Sequence, residues 1–469
     1  MSGGKEEGFR AEADSMGEVR LPSWAYWGAQ TQRAVENFGI SPLRIPPGLI
    51  EALGLIKRYA AEVNGELGLL DKERAGAIVR AADELAAGKW NEHFPIDVFQ
   101  TGSGTSWNMN ANELLANRAN QLLGSPLGSR APVHPNDHVN RGQSSNDVIP
   151  AAMHIADRKA AGPLAGELER LADAFQAKAE EHRGVLKLGR THLQDAVPMT
   201  LGQELSGYAS QLRHALARLR DSFPHLEELA LGGTAVGTGL NAHPELAPRV
   251  IQRIARHTGL PFRQADNLFE ALACRDAQAG LMAALDTLAG GLLKIATDLR
   301  LLAGGPRAGF GEIRLPSLQP GSSIMPGKVN PVIPEMVAQA AVYVKGRALA
   351  VTLAASQGPL ELNMMMPLIA YETQDCLALL ANTCRVFRER CVEGLEADAE
   401  RCAHWIEWSL ALVTPLATRI GYDRAAQIAY QAFREGKTVR QVALEQKVLE
   451  PEEIEAVLDP RAMLGPDRP

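Results

Sequence analysis

The chain has 469 residues, which is enough for about three domains at roughly 150 residues per domain. Its 48 Lys and Arg against 55 Asp and Glu give a net charge of −7, and its 22% charged and 46% hydrophobic residues are an ordinary balance for a soluble globular protein. An acidic chain has no global field that attracts nucleic acid, so we expect no nucleic-acid partner and expect local donors to hold any anionic ligand.

The N-terminal part of the chain predicts a mostly helical first domain, residues 1–144. Residues 1–10 contain acidic side chains and no apolar stretch, so we predict neither a secretory signal nor a transit peptide. Helical patterns follow at residues 50–67 and 72–87, separated by Gly and Pro.

A Gly-rich segment, Thr101-Gly-Ser-Gly-Thr-Ser-Trp-Asn-Met-Asn110, comes next. Its glycines let backbone N–H groups approach a ligand, its hydroxyls donate, and a helix is expected to begin at its end. The segment therefore suits a carboxylate or phosphate site, although a turn and helix cap without a ligand explains it equally well. It is not a Walker loop, because no Gly-Lys-Ser/Thr follows.

A second polar stretch contains His134-Pro-Asn-Asp137 and Gln143-Ser-Ser-Asn-Asp147, ahead of a helical pattern with Pro150 in its first turn. Ser145 or Asn146 is a candidate N-cap. Because these side chains and the free N–H groups of the first turn face the same point, an anion site is an equal alternative.

Apolar residues at alternating steps of three and four predict long helices in the middle of the chain. Four such seams run through residues 164–175, 201–226, 281–302 and 337–355, and Pro224 is expected to kink the second. The seams predict an all-α fold with a central helical bundle, residues 145–368, rather than a doubly wound α/β fold. Seams of this length also favour packing between subunits.

Charges such as Asp286, Lys294 and Asp298 interrupt the most apolar seam. No apolar run then reaches the roughly 18 residues of a membrane span. We therefore predict a cytoplasmic protein with no membrane partner.

Two further segments are candidates for chemistry. Gly189-Arg-Thr-His-Leu-Gln-Asp195 precedes the second seam, but a lone His such as His192 is more often structural than catalytic. The stretch 309–331 lies between two bundle helices and is too long for an ordinary connection. Its two serines, lysine and asparagine, with Gly321 and Gly327 as hinges, favour a functional lid over a disordered linker.

The last part of the chain, residues 369–469, predicts a small helical third domain with a charged tail. The chain's five cysteines are odd in number and contain no C-x-x-C pair, so we expect reduced core thiols and no metal site: Cys274, Cys376, Cys384, Cys391 and Cys402.

The segment Gly321-Ser-Ser-Ile-Met-Pro-Gly-Lys-Val-Asn-Pro331 resembles the signature of the fumarase/aspartase superfamily, and the resemblance extends over nearly the whole chain. Supporting matches are Ser15-Met-Gly17, Trp27-Gly-Ala-Gln-Thr-Gln32, the Gly-Ser-Gly-Thr loop, Ser144-Ser-Asn-Asp147, Arg190-Thr-His192 and Gly232-Gly-Thr-Ala-Val-Gly-Thr-Gly-Leu-Asn241.

Within the superfamily the signature is similar to that of class II fumarases. His192 and Ser145 agree with this, because aspartases usually carry Gln and Thr there. The run Val332-Ile-Pro-Glu335 is aspartase-like, and Trp107 and Pro359 depart from the family pattern.

The resemblance implies a three-domain, all-α fold whose central bundle assembles into a tetrameric 20-helix core, with each active site drawing on three subunits of a homotetramer. It implies a metal-independent lyase, without a cofactor, that reversibly hydrates the small dicarboxylate fumarate to (S)-malate in the tricarboxylic acid cycle. An aspartate or related ammonia-lyase is the alternative of the same fold, and a non-catalytic relative is the alternative from another class.

The resemblance also implies roles for individual residues. Ser322 is the base that removes the carbon-bound proton, Lys328 and Asn330 stabilise the charge that develops, and His192 with Glu335 handles the proton at the oxygen end. The substrate-binding residues implied are Ser103, Gly104, Thr105, Ser144, Ser145, Asn146, Thr191, Ser323, Val329 and Asn330. A second dicarboxylate site is implied at His134, Pro135, Asn136 and Asp137.

Overall fold

A computed structural model describes residues 8–464. The helices, in chain order, are α1 (Ala29–Asn37), α2 (Pro47–Glu66), α3 (Lys72–Ala86), α4 (Thr105–Leu122), α5 (Ser145–Glu181), α6 (Leu201–Asp221), α7 (Phe223–Leu226), α8 (Leu246–Thr258), α9 (Leu268–Ala273), α10 (Asp276–Leu302), α11 (Val332–Ala355), α12 (Met366–Phe387), α13 (Ala399–Trp408), α14 (Val413–Ile420), α15 (Tyr422–Glu435), α16 (Val439–Glu445) and α17 (Pro451–Val457). Short 3₁₀ or π turns lie at Asn91–His93, Pro135–Val139, Arg388–Val392, Leu410–Leu412 and Pro460–Met463. The prediction about a leader in residues 1–10 falls largely outside the described residues.

The strands are short and pair two by two in the described part of the chain, so the all-α prediction is confirmed. They are β1 (Phe9–Asp14), β2 (Gly17–Pro22), β3 (Leu186–Thr191), β4 (Gln194–Thr200), β5 (Glu228–Leu229), β6 (Arg263–Gln264), β7 (Ile313–Arg314) and β8 (Glu396–Ala397). β1–β2, β3–β4 and β7–β8 are antiparallel, whereas β5–β6 is parallel.

The two helices predicted near the N-terminus are present as α2 and α3. The Asp71 side chain caps α3 by accepting a hydrogen bond from the Arg74 N–H at 2.9 Å. α2 and α3 approach closely at Gly54, where a Cβ atom would lie 2.8 Å from the Ala86 nitrogen. A glycine at this crossing lets the two backbones touch.

The residues after Trp27 begin the first helix and are held by a buried carboxylate. Glu113 on α4 is buried and accepts hydrogen bonds from the Gly28, Gln30 and Thr31 backbone N–H groups at 2.9–3.1 Å. The carboxylate therefore caps the N-terminus of α1, where a negative charge is favoured.

Five helices of 21 to 37 residues form the predicted bundle: α5, α6, α10, α11 and α12. Phe175 on α5 is fully buried, and its ring centroid lies 5.8 Å from that of Tyr208 on α6 and 5.9 Å from that of Phe387 on α12. The Tyr208 hydroxyl donates to Asp298 on α10 at 3.0 Å. Aromatic packing and a buried hydroxyl thus tie four of the helices together.

Polar contacts connect α11 to its neighbours and add a second contact between α12 and α5. The contacts run from α11 to α10, from α11 to α12 and from α12 to α5: Lys345–Asp286 at 2.8 Å, Arg347–Glu372 at 2.8 Å and Gln374–Asp157 at 2.7 Å. The predicted seams face this core; the seam leucines of α10, for example, are at most 5% exposed.

The prediction for Pro224 was wrong in detail. α6 ends at Asp221, and Pro224 lies in the first turn of the separate helix α7, where its missing N–H has no helical partner to lose. Pro224 therefore lies at the beginning of a new helix, α7, instead of kinking α6.

The described residues group into two compact units. One comprises residues 8–165, 218–287 and 343–380, and the other comprises residues 166–217, 288–342 and 381–464. The division of the chain at residues 144 and 368 stays a prediction.

One helix among the described residues, α10, is by length and composition apolar enough to cross a membrane, which its charges had not led us to expect. Of its most apolar stretch, 56% is buried inside the chain. A core helix of a soluble protein meets the same criterion. The leucines of α10 are buried, as expected for a helix in the core.

The expectation of unpaired core cysteines is confirmed. Four of the five thiols are buried, Cys274 is half-buried, and none is in a disulfide.

Candidate active site

The Gly-rich segment forms the start of α4. The helix begins at Thr105, inside the segment rather than at its end, and Gly104 precedes it with a left-handed φ of 69°. The Ser103 and Thr105 hydroxyl oxygens lie 2.8 Å apart. A left-handed residue favours glycine, and the turn it makes places two hydroxyls beside the free N–H groups of a helix N-terminus.

The polar stretch before α5 caps that helix, but through Ser144 rather than the predicted Ser145 or Asn146. The Ser144 hydroxyl accepts from the Asn146 N–H at 3.2 Å, and the Ser144 N–H donates to Asp147 at 2.9 Å. This reciprocal pattern is a variant of the capping box in which the serine hydroxyl accepts from the second rather than the third N–H group of the helix. Ser145 and Asn146 are then left in the first turn.

Asp147 is a site-supporting residue that the sequence reasoning missed. Its buried carboxylate also accepts from the Gly232 and Thr234 N–H groups, at 2.9 and 3.1 Å, and burial raises its pKa. The Asn146 amide donates to the Ala235 carbonyl at 2.7 Å. The start of α5 is thereby bound to the Gly232–Asn241 loop; the available signal was the Ser-x-x-Asp spacing.

The starts of α4 and α5 lie side by side. The Asn108 amide on α4 donates to the Ser145 hydroxyl at 3.4 Å, and a Cβ atom at Gly104 would lie 3.0 Å from Ile149 on α5. The structure therefore brings residues 103–105 and 144–146 together. Two helix N-termini and several hydroxyls meet there, which suits an anionic ligand.

The segment from His134 to Asp137 forms a tight turn beside this region. His134 and Pro135 are half-buried and buried, respectively, and Asn136 and Asp137 are exposed. Arg130 Nη2 lies 2.7 Å from His134 Nε2, and burial, helped by the Arg130 charge and opposed by Asp137, lowers the pKa of His134.

A β-hairpin that was not foreseen carries Thr191 and His192. Thr191 pairs with Gln194 across a two-residue turn in which His192 and Leu193 have φ values of 55° and 60°. Non-glycine residues rarely occupy this left-handed region, so the turn stores strain of the kind found at functional sites. Both Thr191 and His192 are exposed at its tip.

Buried charges hold the base of this hairpin. Glu312 has no exposed side-chain surface and contacts Arg190 at 2.7 Å and Lys187 at 3.3 Å. Lys187 also meets Glu204 at 3.1 Å. Glu312 lies near the beginning of the 309–331 stretch, so its carboxylate connects the base of the hairpin to the beginning of the predicted lid.

The predicted lid is an ordered turn. The Gly321 N–H donates to the Lys328 carbonyl at 2.7 Å, and the Asn330 amide donates to the Gly321 carbonyl at 2.8 Å. A Cβ atom at Gly321 would lie 2.8 Å from the Lys328 carbonyl oxygen, so this close approach requires glycine. A cavity of about 380 Å³ is lined by lid residues that include Ser322, Lys328 and Val329.

Within the lid, the Ser322 hydroxyl oxygen accepts two backbone N–H hydrogen bonds. Ile324 donates at 3.2 Å and Met325 at 3.0 Å. Two donors on one hydroxyl oxygen favour its deprotonated form. Ser323, Lys328 and Val329 are exposed beside it.

The chain does not pair His192 with Glu335. Glu335 lies half-buried in the first turn of α11. Among residues 8–464, the side chains of His192, Lys328 and Glu335 make no hydrogen bond or ion pair. The candidate residues thus form one set in the first compact unit, at 103–105, 134–137 and 144–146, and another in the second, at 191–192, 322–330 and 335.

Comparison with known proteins identifies the family. Residues 17–346 match the family model described as lyase, and residues 412–465 match that of the fumarase C C-terminus. The chain is 50% identical to the class II fumarate hydratase of Methylorubrum extorquens over 97% of both chains. It is 48% identical to the human mitochondrial fumarate hydratase over 98% of this chain and 91% of that one.

A solved structure agrees with these relatives. The crystal structure of the class II fumarase from Schistosoma mansoni matches with a TM-score of 0.94 and 39% identity, covering 98% of this chain and all of that one. The chain belongs to the class II fumarases.

The two residues that the sequence analysis set apart from the family pattern, Trp107 and Pro359, both lie outside the Ser103–Thr105 turn. Trp107 is fully buried in the first turn of α4, two residues after Thr105. Pro359 lies in the exposed loop before α12, next to Leu360, which has a left-handed φ of 55°. Neither replaces a residue of the Ser103–Thr105 turn.

Proposed function

We propose that this chain catalyses the reversible hydration of fumarate to (S)-malate, a step of the tricarboxylic acid cycle. The Ser322 hydroxyl with its two N–H donors is the observation that carries the proposal. The similarity to class II fumarate hydratases along nearly the whole chain supports it.

The difficult step in the dehydration direction is removal of a proton from the carbon beside a carboxylate. The carbanion pushes a second negative charge onto that carboxylate, so the site must stabilise a doubly charged group. The reaction has no net redox change and therefore needs no redox cofactor.

We assign Ser322 as the base. A serine hydroxyl is a poor base unless its oxyanion is stabilised, and the Ile324 and Met325 N–H groups supply such stabilisation. The exposed ammonium of Lys328 and the backbone of the Asn330 turn then face the developing charge on the substrate carboxylate.

The other candidate residues bind the substrate and move the second proton. His192, oriented by Glu335, is assigned to the proton at the hydroxyl end. The carboxylates are assigned to Thr191, Ser103, Gly104, Thr105, Ser144, Ser145, Asn146, Ser323, Val329 and Asn330. The turn at 134–137 is assigned to a second dicarboxylate site.

We infer that the working enzyme is a homotetramer in which each site draws on three chains. Two features support this. His192, Lys328 and Glu335 find no side-chain partner within the described chain, and α11 exposes an apolar stripe opposite its buried seam: Val342 at 60%, Leu349 at 63% and Leu353 at 59%. A helix that is apolar on both faces is normally buried. A cytoplasmic location for this assembly is part of the same proposal.

The function is tested by mixing the purified protein with malate, and separately with aspartate, and following the absorbance of fumarate. We expect fumarate from malate. Fumarate from aspartate alone would identify an ammonia-lyase, and no product from either would identify a non-catalytic relative.

The role of Ser322 is tested with Ser322→Ala against Ser317→Ala, an exposed serine of the same lid. We expect Ser322→Ala to lose most turnover while light scattering still reports a tetramer, and Ser317→Ala to keep its turnover. Near-normal turnover by Ser322→Ala would remove Ser322 from the base role, and an active wild-type monomer would contradict the tetramer.

A further inference from the structure

The first compact unit contains a buried cation that the proposed chemistry does not use. Lys57 on α2 has 0% of its surface exposed, and its Nζ donates to Asn140 Oδ1 at 2.9 Å and to Gln143 Oε1 at 3.0 Å. No carboxylate of residues 8–464 lies within ion-pair distance of it. The Asp147 carboxylate acts on Lys57 electrostatically without a direct contact. A buried charge without a direct ion pair is costly, so the position of Lys57 calls for a reason.

Lys57 fixes the orientation of two side-chain amides. An ammonium only donates hydrogen bonds, and even a neutral amine has the two N–H bonds that these two contacts need. The oxygens of Asn140 and Gln143 must therefore face Lys57, which leaves the amide NH₂ of Asn140 to donate to the Gln143 carbonyl at 3.2 Å. Burial lowers the pKa of Lys57 to about 7, and its donor role is the same on both sides of that pH.

Asn108 connects the oriented amide of Asn140 to Ser145 in the candidate site. Asn140 Oδ1 also accepts from Asn108 Nδ2 at 3.3 Å, so the Asn108 amide must present its NH₂ group on that side. The same NH₂ group donates to the Ser145 hydroxyl oxygen at 3.4 Å. Asn108 is 1% exposed, and its other amide atom, Oδ1, has no partner.

Donor and acceptor roles therefore alternate along a row of four buried or half-buried side chains, Lys57, Asn140, Asn108 and Ser145. Because the Ser145 oxygen already accepts a hydrogen bond from Asn108, its own proton is directed away from Asn108. The O–H of Ser145 is then free to donate to an acceptor, such as a carboxylate, that faces it from the site.

We infer that Lys57 is a positioning residue: through this row it orients the Ser145 hydroxyl so that its O–H donates to a substrate carboxylate. The inference rests on the proposed function, because it specifies which substrate group Ser145 binds. It assigns part of the substrate binding to a side chain that does not touch the substrate.

The test uses Lys57→Met, which keeps the length of the side chain and removes its N–H donors. We expect KM for fumarate and for malate to rise about tenfold while kcat changes less than threefold. The lost contact binds the ground state and the transition state equally, so its loss weakens substrate binding without slowing the chemical step. Arg58→Met is the matched control: Arg58 is the next residue on α2 and pairs with Asp83 at the surface, so both constants should stay at the wild-type values.

A second variant, Asn108→Leu, breaks the row at its middle and leaves the Lys57 contacts with Asn140 and Gln143 in place. If both residues act through Ser145, the double variant should show no larger rise in KM than the greater of the two single variants. Rises that multiply, or a KM that either single variant leaves unchanged, would overturn the inference.

If Lys57→Met does not fold by circular dichroism, Asn108→Leu decides alone. An unchanged KM in that variant overturns the inference, and a tenfold rise upholds it. Failure of the proposed function is seen separately, because the wild-type protein would then produce no fumarate from malate.

Discussion

Neutralising Glu312 should disturb the candidate site, although Glu312 is not one of the candidate site residues. Its fully buried carboxylate contacts Arg190 at 2.7 Å and Lys187 at 3.3 Å, beneath the hairpin that ends in His192. Glu312→Gln preserves the shape of the side chain and removes its charge. The two cations then remain in a low-dielectric environment without their shared counter-charge.

The size of the loss follows from that burial. Breaking a buried ion pair by removing one partner costs about 3–5 kcal/mol, because a buried charge is left uncompensated. Glu204 still meets Lys187 at 3.1 Å and offsets part of the loss. We therefore expect the free energy of unfolding to fall by about 3 kcal/mol, and fumarate turnover to fall because the hairpin loses its support.

Urea unfolding followed by tryptophan fluorescence, at one fixed protein concentration, measures this loss. Glu181→Gln is the control, since Glu181 pairs with Lys178 at 2.8 Å but is 52% exposed in its side chain. An exposed pair contributes about 0–1 kcal/mol. If Glu312→Gln and Glu181→Gln lose similar stability, the buried pair does not support the hairpin as described.

Three further outcomes are expected. Phe175→Ala, at the fully buried contact of α5, α6 and α12, should lower the free energy of unfolding in urea by about 3–5 kcal/mol, and a loss below 1 kcal/mol would contradict the packing described. Burial lowers the pKa of His154 to about 3. Between pH 6.5 and 3 the unfolded chain therefore binds a proton at this residue and the folded chain does not, so the free energy of unfolding should fall by about 1.4 kcal/mol for each pH unit below 6.5. His154→Gln should flatten that slope. Gly102→Ala would place a Cβ atom 1.7 Å from a main-chain carbonyl oxygen and should lower the melting temperature, whereas Gly76→Ala, in open space on α3, should raise stability by about 0.5–1 kcal/mol.

Helices with a repeating apolar face could be predicted from the sequence. The α10 seam from Leu281 to Leu302 is buried as its spacing predicts, and α2 and α3 lie within a few residues of their predicted bounds. Such patterns are local, because one helix repeats its own period. The long stretch before α11 was predicted differently, from its length and its serines, and its role as a lid stays a prediction.

The β3–β4 hairpin could not be predicted by the same reasoning. Its turn is His192-Leu193 instead of the Asn-Gly or Asp-Gly that marks a tight hairpin, and the register shifts between Leu188 and Arg190. The bulge disrupts the two-residue alternation that identifies a strand.

The buried polar groups were also out of reach of sequence reasoning. Lys57 looks like an ordinary surface lysine of an amphipathic helix, and its partners Asn140 and Gln143 lie more than eighty positions away along the chain. Only the folded backbone brings them together. The cap of α5 was misplaced by one or two residues for a smaller reason, since three adjacent polar side chains all suit an N-cap.

The way in which separate chain segments form the two compact units affects how the protein can be synthesised and truncated. Each unit combines three separate stretches of chain, and the boundaries near residues 165, 217, 287, 342 and 380 all fall inside helices. None of these five boundaries is a linker at which one unit could be separated and expressed alone. During synthesis, the first unit cannot complete its core until residues 343–380 have left the ribosome, when about four fifths of the chain has been made. We expect this protein to depend on chaperones more strongly than a protein of equal length whose domains follow one another along the chain.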